Sequence, residues 1–293
     1  MISQKTLDEI LFGMERLPEL PAVALQINRM MDDPQTGAQD LAKIIMLDPY
    51  MTSKVLRLCN SATYGFARRI ATISEAVSIL GYRELKQIVF SIISHSFLDR
   101  PIQGYSLEKG ALWQNAITCG TYARHIAKKI NYKDRELVFI GSLLRDVGKV
   151  ALSNYLIGKE EILNAVVLKE KCSFDEAEEM VVGINHTEIG KELALRWHLP
   201  DSLVHTIGFH HHPTRIPDST PRDIKTLVAL VHLADTYTMM TGTGVGIDGL
   251  MYPLDAKIFE LLPIRIDNGE LEVLYSELLS LQDEINMITN SFK

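Results

Sequence analysis

Cysteine is scarce in this 293-residue chain: Cys59, Cys119 and Cys172 are odd in number, far apart, and never form a Cys-x-x-Cys pair. That usage fits free thiols in a reducing compartment, so a cytoplasmic location is expected. Long hydrophobic runs are missing as well. None reaches the ~18 residues of a membrane span, and Met1-Ile2-Ser3-Gln4-Lys5 leads into no signal-peptide core, so neither a membrane nor a targeting segment is expected. There is no excess of positive charge. A net charge of −7 and a pI near 5.7 argue against a broad electrostatic footprint for nucleic acid, although a local basic patch is compatible with that balance. Aromatics make up only 7% of the residues, against 46% hydrophobic and 23% charged. The apolar mass comes from Leu, Ile, Ala, Val and Met, a mixture that favours helices. The length suits one large domain or two modest ones, with a core that needs no disulfide or structural zinc.

Apolar residues recur at three- and four-residue spacing, punctuated by Pro, Gly and Asx signals, so nearly the whole chain reads as helix. Thr6 to Met14 forms a first amphipathic stretch, Leu17-Pro18-Glu19-Leu20-Pro21 a rigid corner, and Ala22 to Met31 a second helix. Gln39 to Met46 and Tyr50 to Cys59 follow, the latter opened by Asp48-Pro49. Thr72-Ile73-Ser74-Glu75 reads as a capping box ahead of Ala76 to Leu80; Gly81 closes that helix, and Tyr82 to Leu98 is the next. Pro101 and Gly104 suggest a joint, giving parts 1–103, 104–240 and 241–293. The second half predicts helices over Leu112–Ile130, Arg135–Leu152, Lys159–Glu170, Phe174–Gly183, His186–Trp197, Ser202–His210 and Ile224–Met240. Closing helices are expected near Leu254–Leu262 and Leu271–Ile288. Thr241 to Gly246 reads as a flexible connector, since its glycines lack both the preceding strand and the Lys of a phosphate loop.

Chemistry-bearing residues concentrate in the second half: Asp146, His186, the triplet His210-His211-His212, and the pair His232 and Asp235. Asp146 and Asp235 each lie in an almost wholly apolar helical stretch, where an unpaired carboxylate would cost several kcal/mol or become protonated. Both need partners. Histidines from other helices could share a metal with them, or Arg145 and Lys149 could neutralise them. A lone His is more often structural than a ligand, which is the duller reading of His186. Consecutive helical residues diverge by about 100°, so at most two of the triplet face one site. His210 and His211 are favoured, because Pro213 turns His212 outward. His232 can support Asp235 or simply pack in the core. His95, His125, His198 and His205 stand alone and receive no function.

Several motifs occur in a particular order. In the first half they are Leu17-Pro18-Glu19-Leu20-Pro21, Asp48-Pro49, Leu56-Arg57-Leu58-Cys59-Asn60-Ser61-Ala62-Thr63-Tyr64 and Ala76-Val77-Ser78-Ile79-Leu80-Gly81. Trp113-Gln114-Asn115, Leu143-Leu144-Arg145-Asp146-Val147-Gly148-Lys149, Asn185-His186-Thr187-Glu188-Ile189-Gly190, His210-His211-His212-Pro213 and Leu233-Ala234-Asp235 follow in the second. In that order and spacing the chain resembles an HDOD-domain protein, a bacterial signalling relative of the HD metal-dependent phosphohydrolases. The resemblance implies an all-α fold, an N-terminal helical bundle packed on a degenerate HD-like helical domain. It also implies a metal pattern in which the first histidine falls on Asn115 and the histidine of the His-Asp doublet on Arg145. Guanidinium is always protonated, offers only donors and repels a dication. Asp146, His186, His210 or His211, and Asp235 match the remaining ligands. The Gly-Tyr-Pro signature of the cyclic-dinucleotide phosphodiesterase branch does not follow His212.

What the resemblance implies is therefore a non-catalytic signal-transduction module acting through a signalling partner or a small phosphorylated ligand, with no cofactor required. One weakly held divalent ion (iron, manganese or zinc) is compatible with Asp146, His186 and His210 or His211. The alternative is a divergent metal-dependent phosphohydrolase acting on a nucleotide or another phosphorylated small molecule. A third reading makes Arg145 and Lys149 an anion-binding clamp.

Overall fold

A computed structural model describes Gln26, Met30 and residues 37–61, 63–66, 68–249, 251–264 and 269–292. The corner at Leu17–Pro21, the helix at Thr6–Met14 and nearly all of that at Ala22–Met31 lie outside the described residues. Among the described residues the secondary structure is helical apart from one isolated bridge between Ile102 and Leu107. The all-α expectation holds.

The first part contains α1 (Ala38–Met46), α2 (Pro49–Cys59) and α3 (Ile73–Leu98). Pro49 sits at the start of α2, where its missing N–H costs nothing, and Asp48 Oδ1 accepts the Met51 amide at 3.0 Å. Thr72 Oγ1 caps α3 through the Glu75 amide, while Glu75 reaches back to the amide of Ala71. Gly81 breaks α3 internally with φ 78 and ψ 176, a left-handed conformation that glycine adopts without penalty. The expected pair of helices, before and after Gly81, is thus present within α3 and meets at this kink, and α1 and α2 both pack on α3.

The second part comprises α4 (Ala111–Lys129), α5 (Arg135–Leu144), α6 (Val147–Leu156), α7 (Glu160–Glu170), α8 (Phe174–Val182), α9 (His186–Arg196), α10 (Asp201–Phe209) and α11 (Arg222–Met240). At the centre α4 packs on α5 and α11, while α6 packs on α9 and α9 on α10. The α6–α9 approach is very close. A Cβ at Gly148 would stand 1.9 Å from the His186 carbonyl oxygen and 2.8 Å from the Gly190 amide, so only glycine fits there. One hydrophobic cluster runs from Met30 through both parts to Phe292.

Three expectations need correction. Arg135–Leu152 is two helices, broken at Arg145-Asp146, because both charged side chains must leave the helix surface for one buried cluster. The closing segment is α12 (Glu270–Leu279) and α13 (Gln282–Ser291) instead of one helix over Leu271–Ile288, and Leu254–Leu262 contributes only a 3₁₀ turn over Ala256–Glu260. Thr241 to Gly246 is no free connector. A Cβ at Gly244 would lie 2.1 Å from the Ala111 carbonyl, and the Thr243 carbonyl accepts a hydrogen bond from Asn115 Nδ2 at 2.9 Å, so this loop is pressed against α4.

Candidate functional site

The break between α5 and α6 creates the site. Arg145 follows the last residue of α5 and Asp146 precedes the first of α6, so their side chains diverge into the space between α4, α9, α10 and α11. Arg145 is fully buried. Its Nε donates to Asp235 Oδ1 at 2.8 Å, its Nη1 to the Ser142 carbonyl at 2.8 Å, and its Nη2 to Asn115 Oδ1. Nη2 also lies 3.1 Å from Asp146 Oδ2 and 2.7 Å from Asp235 Oδ1. Burial by itself would lower the pKa of this guanidinium, but Asp235 and the other acid beside it hold it above its ordinary value.

Lys149, in the first turn of α6, is the second cation buried at this site. Its Nζ lies 2.7 Å from Asp248 Oδ2 and 3.0 Å from Asp146 Oδ1, between the rings of Tyr105 and Tyr252. Burial opposes its charge, and Asp146 and Asp248 outweigh that and raise its pKa. For Asp146, burial pushes upward, yet Lys149 and Arg145 hold the carboxyl well below the usual range. The donors of Arg145 and Lys149 are thus directed at carboxylates, which leaves the two residues poorly placed as an anion clamp.

Opposite the cations stands a histidine cluster. Asn185 Oδ1 caps α9 through the Glu188 amide, which places His186 in the first turn. His186 Nδ1 is bound to Glu178 Oε2 at 2.7 Å, and the same carboxylate oxygen accepts the His186 amide at 2.8 Å. Glu178 Oε1 accepts the Tyr105 hydroxyl at 2.6 Å. Burial would lower the His186 pKa, but the Glu178 carboxylate outweighs it and raises it. His210 Nδ1 bonds the Ile207 carbonyl at 2.9 Å. The His211 ring stacks on Tyr252 with centroids 3.6 Å apart, and its Nε2 faces His186 Nε2 at 3.2 Å. Burial and the neighbouring His210 and His186 hold the His211 pKa well below its ordinary value.

These contacts test whether the residues suit a metal. The first-metal position of the HD pattern does not, because Arg145 and Asn115 occupy it. Asp146, His186, His210 and His211 each offer a ligand atom within 4.8 Å of the others, all of them buried. Asp146 Oδ1, His210 Nε2 and His211 Nδ1 lack a hydrogen-bond partner, although the Lys149 ammonium stands close to the first. Three imidazoles and a carboxylate are a chemically sound set for zinc, iron or manganese, and Glu178 orients His186 as an outer carboxylate does in such sites. The charges point the same way. Four buried carboxylates meet two fixed cations: Asp146, Asp235 and Asp248 pair with Arg145 or Lys149, while Glu178 is bonded to His186 and Tyr105, which leaves room for a protonated histidine or a cation.

Of the residues read from the sequence, Asp146, His186, His210 and His211 converge. Asp235 stands apart from that donor set: its Oδ1 pairs with Arg145, and its Oδ2 is 3.6 Å from His211 Nδ1. His212 turns away from the cluster, as Pro213 suggested, and bonds Asp175 Oδ2 at 2.7 Å. His232 is structural. Its Nδ1 bonds the His210 carbonyl at 2.7 Å and its Nε2 accepts the Asp255 amide at 2.9 Å, pinning the end of α10 to α11. Glu178, Asp248, Tyr105 and Tyr252 were not anticipated. The one local signal was the spacing of Glu178 from Phe174, which puts both on the same face of α8.

The HDOD domain family matches residues 17–213 of the chain. An uncharacterized protein of Treponema pallidum (strain Nichols) is 29% identical over 225 residues, covering 76% of this chain and 42% of that protein. The match thus spans less than half the length of that curated relative. Among solved structures, an HDOD domain protein of unknown function from Geobacter sulfurreducens is 26% identical with a TM-score of 0.75, over 98% of this chain and 96% of that one. A candidate phosphohydrolase from Shewanella amazonensis SB2B shares the fold with a TM-score of 0.69 and 21% identity, over 99% of both chains. No helix among the described residues is long and apolar enough to cross a membrane. With the matched region spanning most of its length, the chain belongs to the HDOD domain family.

Proposed function

We propose that the chain is a non-catalytic signal-transduction module of the bacterial cytoplasm, which acts through a signalling partner or a small phosphorylated ligand. The observation that carries this reading is the position of Arg145, whose guanidinium lies between Asp146 and Asp235 with Asn115 as a third acceptor. A fixed cation there supplies the charge that a first metal would otherwise bring, without offering a ligand or a water to activate. Burial supports the same reading. Asp146, His186, His210, His211 and Asp235 are each no more than 3% exposed, so a phosphorylated substrate has no direct approach. The test is phosphate release by the purified protein supplied with iron, manganese or zinc. None is expected from nucleotides or p-nitrophenyl phosphate; release that Asp146→Ala abolishes would overturn the proposal.

A second reading, a divergent metal-dependent phosphohydrolase, draws support from the buried ring nitrogens of His210 and His211 that lack a hydrogen-bond partner beside Asp146. One divalent ion held by these groups and His186 would supply Lewis acidity to a bound water. Elemental analysis of the purified protein bears on this reading. The anion-clamp reading predicts nucleotide binding that disappears in Arg145→Ala, which calorimetric titration measures; the existing pairings of Arg145 and Lys149 disfavour it.

A further inference from the structure

A cleft of about 190 Å³ separates the second half of α3 from α4, α5 and α13. Its lining is unlike that of the buried cluster, with which it shares no residue. Glu84, on α3, is partly buried and has no hydrogen-bond or ion-pair partner among the described residues. One turn further on, Gln87 is only 6% exposed, and its Oε1 is a buried acceptor without a donor. Thr63 Oγ1, which also lines the cleft, is likewise without a hydrogen-bond partner, and Tyr64 and Phe292 contribute aromatic surface. The nearby cation, Arg124, is already bonded to Glu284.

Each of these features calls for the same complement. A carboxylate in a half-buried cleft attracts a cation, an unsatisfied amide oxygen needs an N–H donor, and aromatic walls suit an organic cation better than a hydrated ion. A small anion would meet Glu84 with no free positive group. A bare divalent ion would find too few hard oxygen ligands. We propose that this cleft binds a small organic cation bearing N–H donors, of the aliphatic amine class, with Glu84 as counter-ion and Gln87 Oε1 as acceptor. The cleft volume of about 190 Å³ accommodates a short diamine. Burial, together with Glu136 and Glu284, outweighs Arg124 and raises the Glu84 pKa, as expected of a carboxylate awaiting a partner. The helix that brings Phe139 to this cleft, α5, leads directly into Arg145, so the two sites share an element.

Calorimetric titration of the full chain with putrescine tests the proposal, and it is independent of whether the chain signals or hydrolyses. Saturable binding is expected, weakened at least about tenfold in Glu84→Gln, which keeps the side-chain shape and removes the charge. Gln87→Met, which fills the same volume without an acceptor, should weaken binding as well and serves if Glu84→Gln misfolds. Tetramethylammonium, a cation without N–H donors, should bind at least about tenfold more weakly than putrescine. No heat and no thermal shift at about 10 mM putrescine, a range that covers even weak ligands, would overturn the proposal. So would equal affinity in folded Glu84→Gln, or tetramethylammonium binding as well as putrescine.

Discussion

Arg145 Nε donates to Asp235 Oδ1 at 2.8 Å, across ninety residues of sequence and with both side chains buried. Such a pair resists removal of one partner far more than it rewards formation of both, because the survivor is a buried charge without compensation. Arg145→Ala is expected to cost ~3–5 kcal/mol, seen as a fall of roughly 10 °C in the thermal midpoint. Arg145→Ala/Asp235→Ala should cost less than the two single changes added together. Unchanged midpoints in Arg145→Ala would show that the cluster does not depend on its guanidinium.

Restoring the residues that the HD pattern places at Asn115 and Arg145 should restore a metal. Asn115→His/Arg145→His puts two imidazoles beside Asp146 and Asp235, and it removes the cation that repels a dication. Elemental analysis is expected to find more iron or manganese per chain in this variant than in the wild type. An equal metal content in the two proteins would mean that Arg145 is not what excludes the first ion.

Glu178→Gln should lower both stability and the pKa of His186. The lost bond is charge-assisted and buried, so its removal is expected to cost ~1.5–3 kcal/mol at neutral pH or below. A raised folded pKa stabilises fully below the unfolded value of ~6.5, and that contribution disappears as pH rises through the folded value. The gap in unfolding free energy between wild type and variant should therefore narrow from pH 6 toward alkaline pH. A gap that widened instead would refute the assignment of the bond to a protonated His186.

Gly148→Ala should destabilise by about 3 kcal/mol and disturb the first turn of α9, since the new methyl group meets the His186 carbonyl backbone. Comparing its denaturation midpoint with that of Gly158→Ala, where a Cβ meets nothing within 4 Å, separates the clash from the strain of a changed glycine. Gly158 has a positive φ of 75°, so some cost is expected there too; Gly148→Ala should exceed it.

Acid should weaken the α8–His212 contact in a defined window. Burial raises the Asp175 pKa, but the hydrogen bond from His212 outweighs it and holds the carboxyl down at about 2. Its stabilising effect is present above the unfolded value of ~3.9 and is lost as pH falls toward about 2, worth ~2 kcal/mol. Asp175→Asn should remove that part of the acid dependence, measured by urea denaturation from pH 5 to pH 2.

The helices were legible because their signals are short-range. Apolar spacing, Pro49 after Asp48 and the Thr72–Glu75 cap act within one or two turns, and the structure keeps each of them. The break at Arg145-Asp146 was not, since the pattern from Phe139 to Leu152 is continuous and only distant partners draw the two side chains apart. Thr241–Gly246 misled for the same reason: its glycines read as slack, whereas Gly244 lies tight against the Ala111 backbone. Glu178 lies in an acidic run, Asp175 to Glu179, that reads as solvated.

From the sequence alone came the all-helical class, the presence of Asn115 and Arg145 where the family resemblance implies histidines, and the requirement that Asp146 and Asp235 find partners in an apolar setting. Tertiary structure alone decided which partners those are. Arg145 reaches both acids, Lys149 bridges Asp146 to Asp248, and Glu178 turns His186 inward. Helix formation follows local spacing, whereas a buried charge is neutralised by whatever the packing of remote helices brings within a few ångströms, and no local pattern records that.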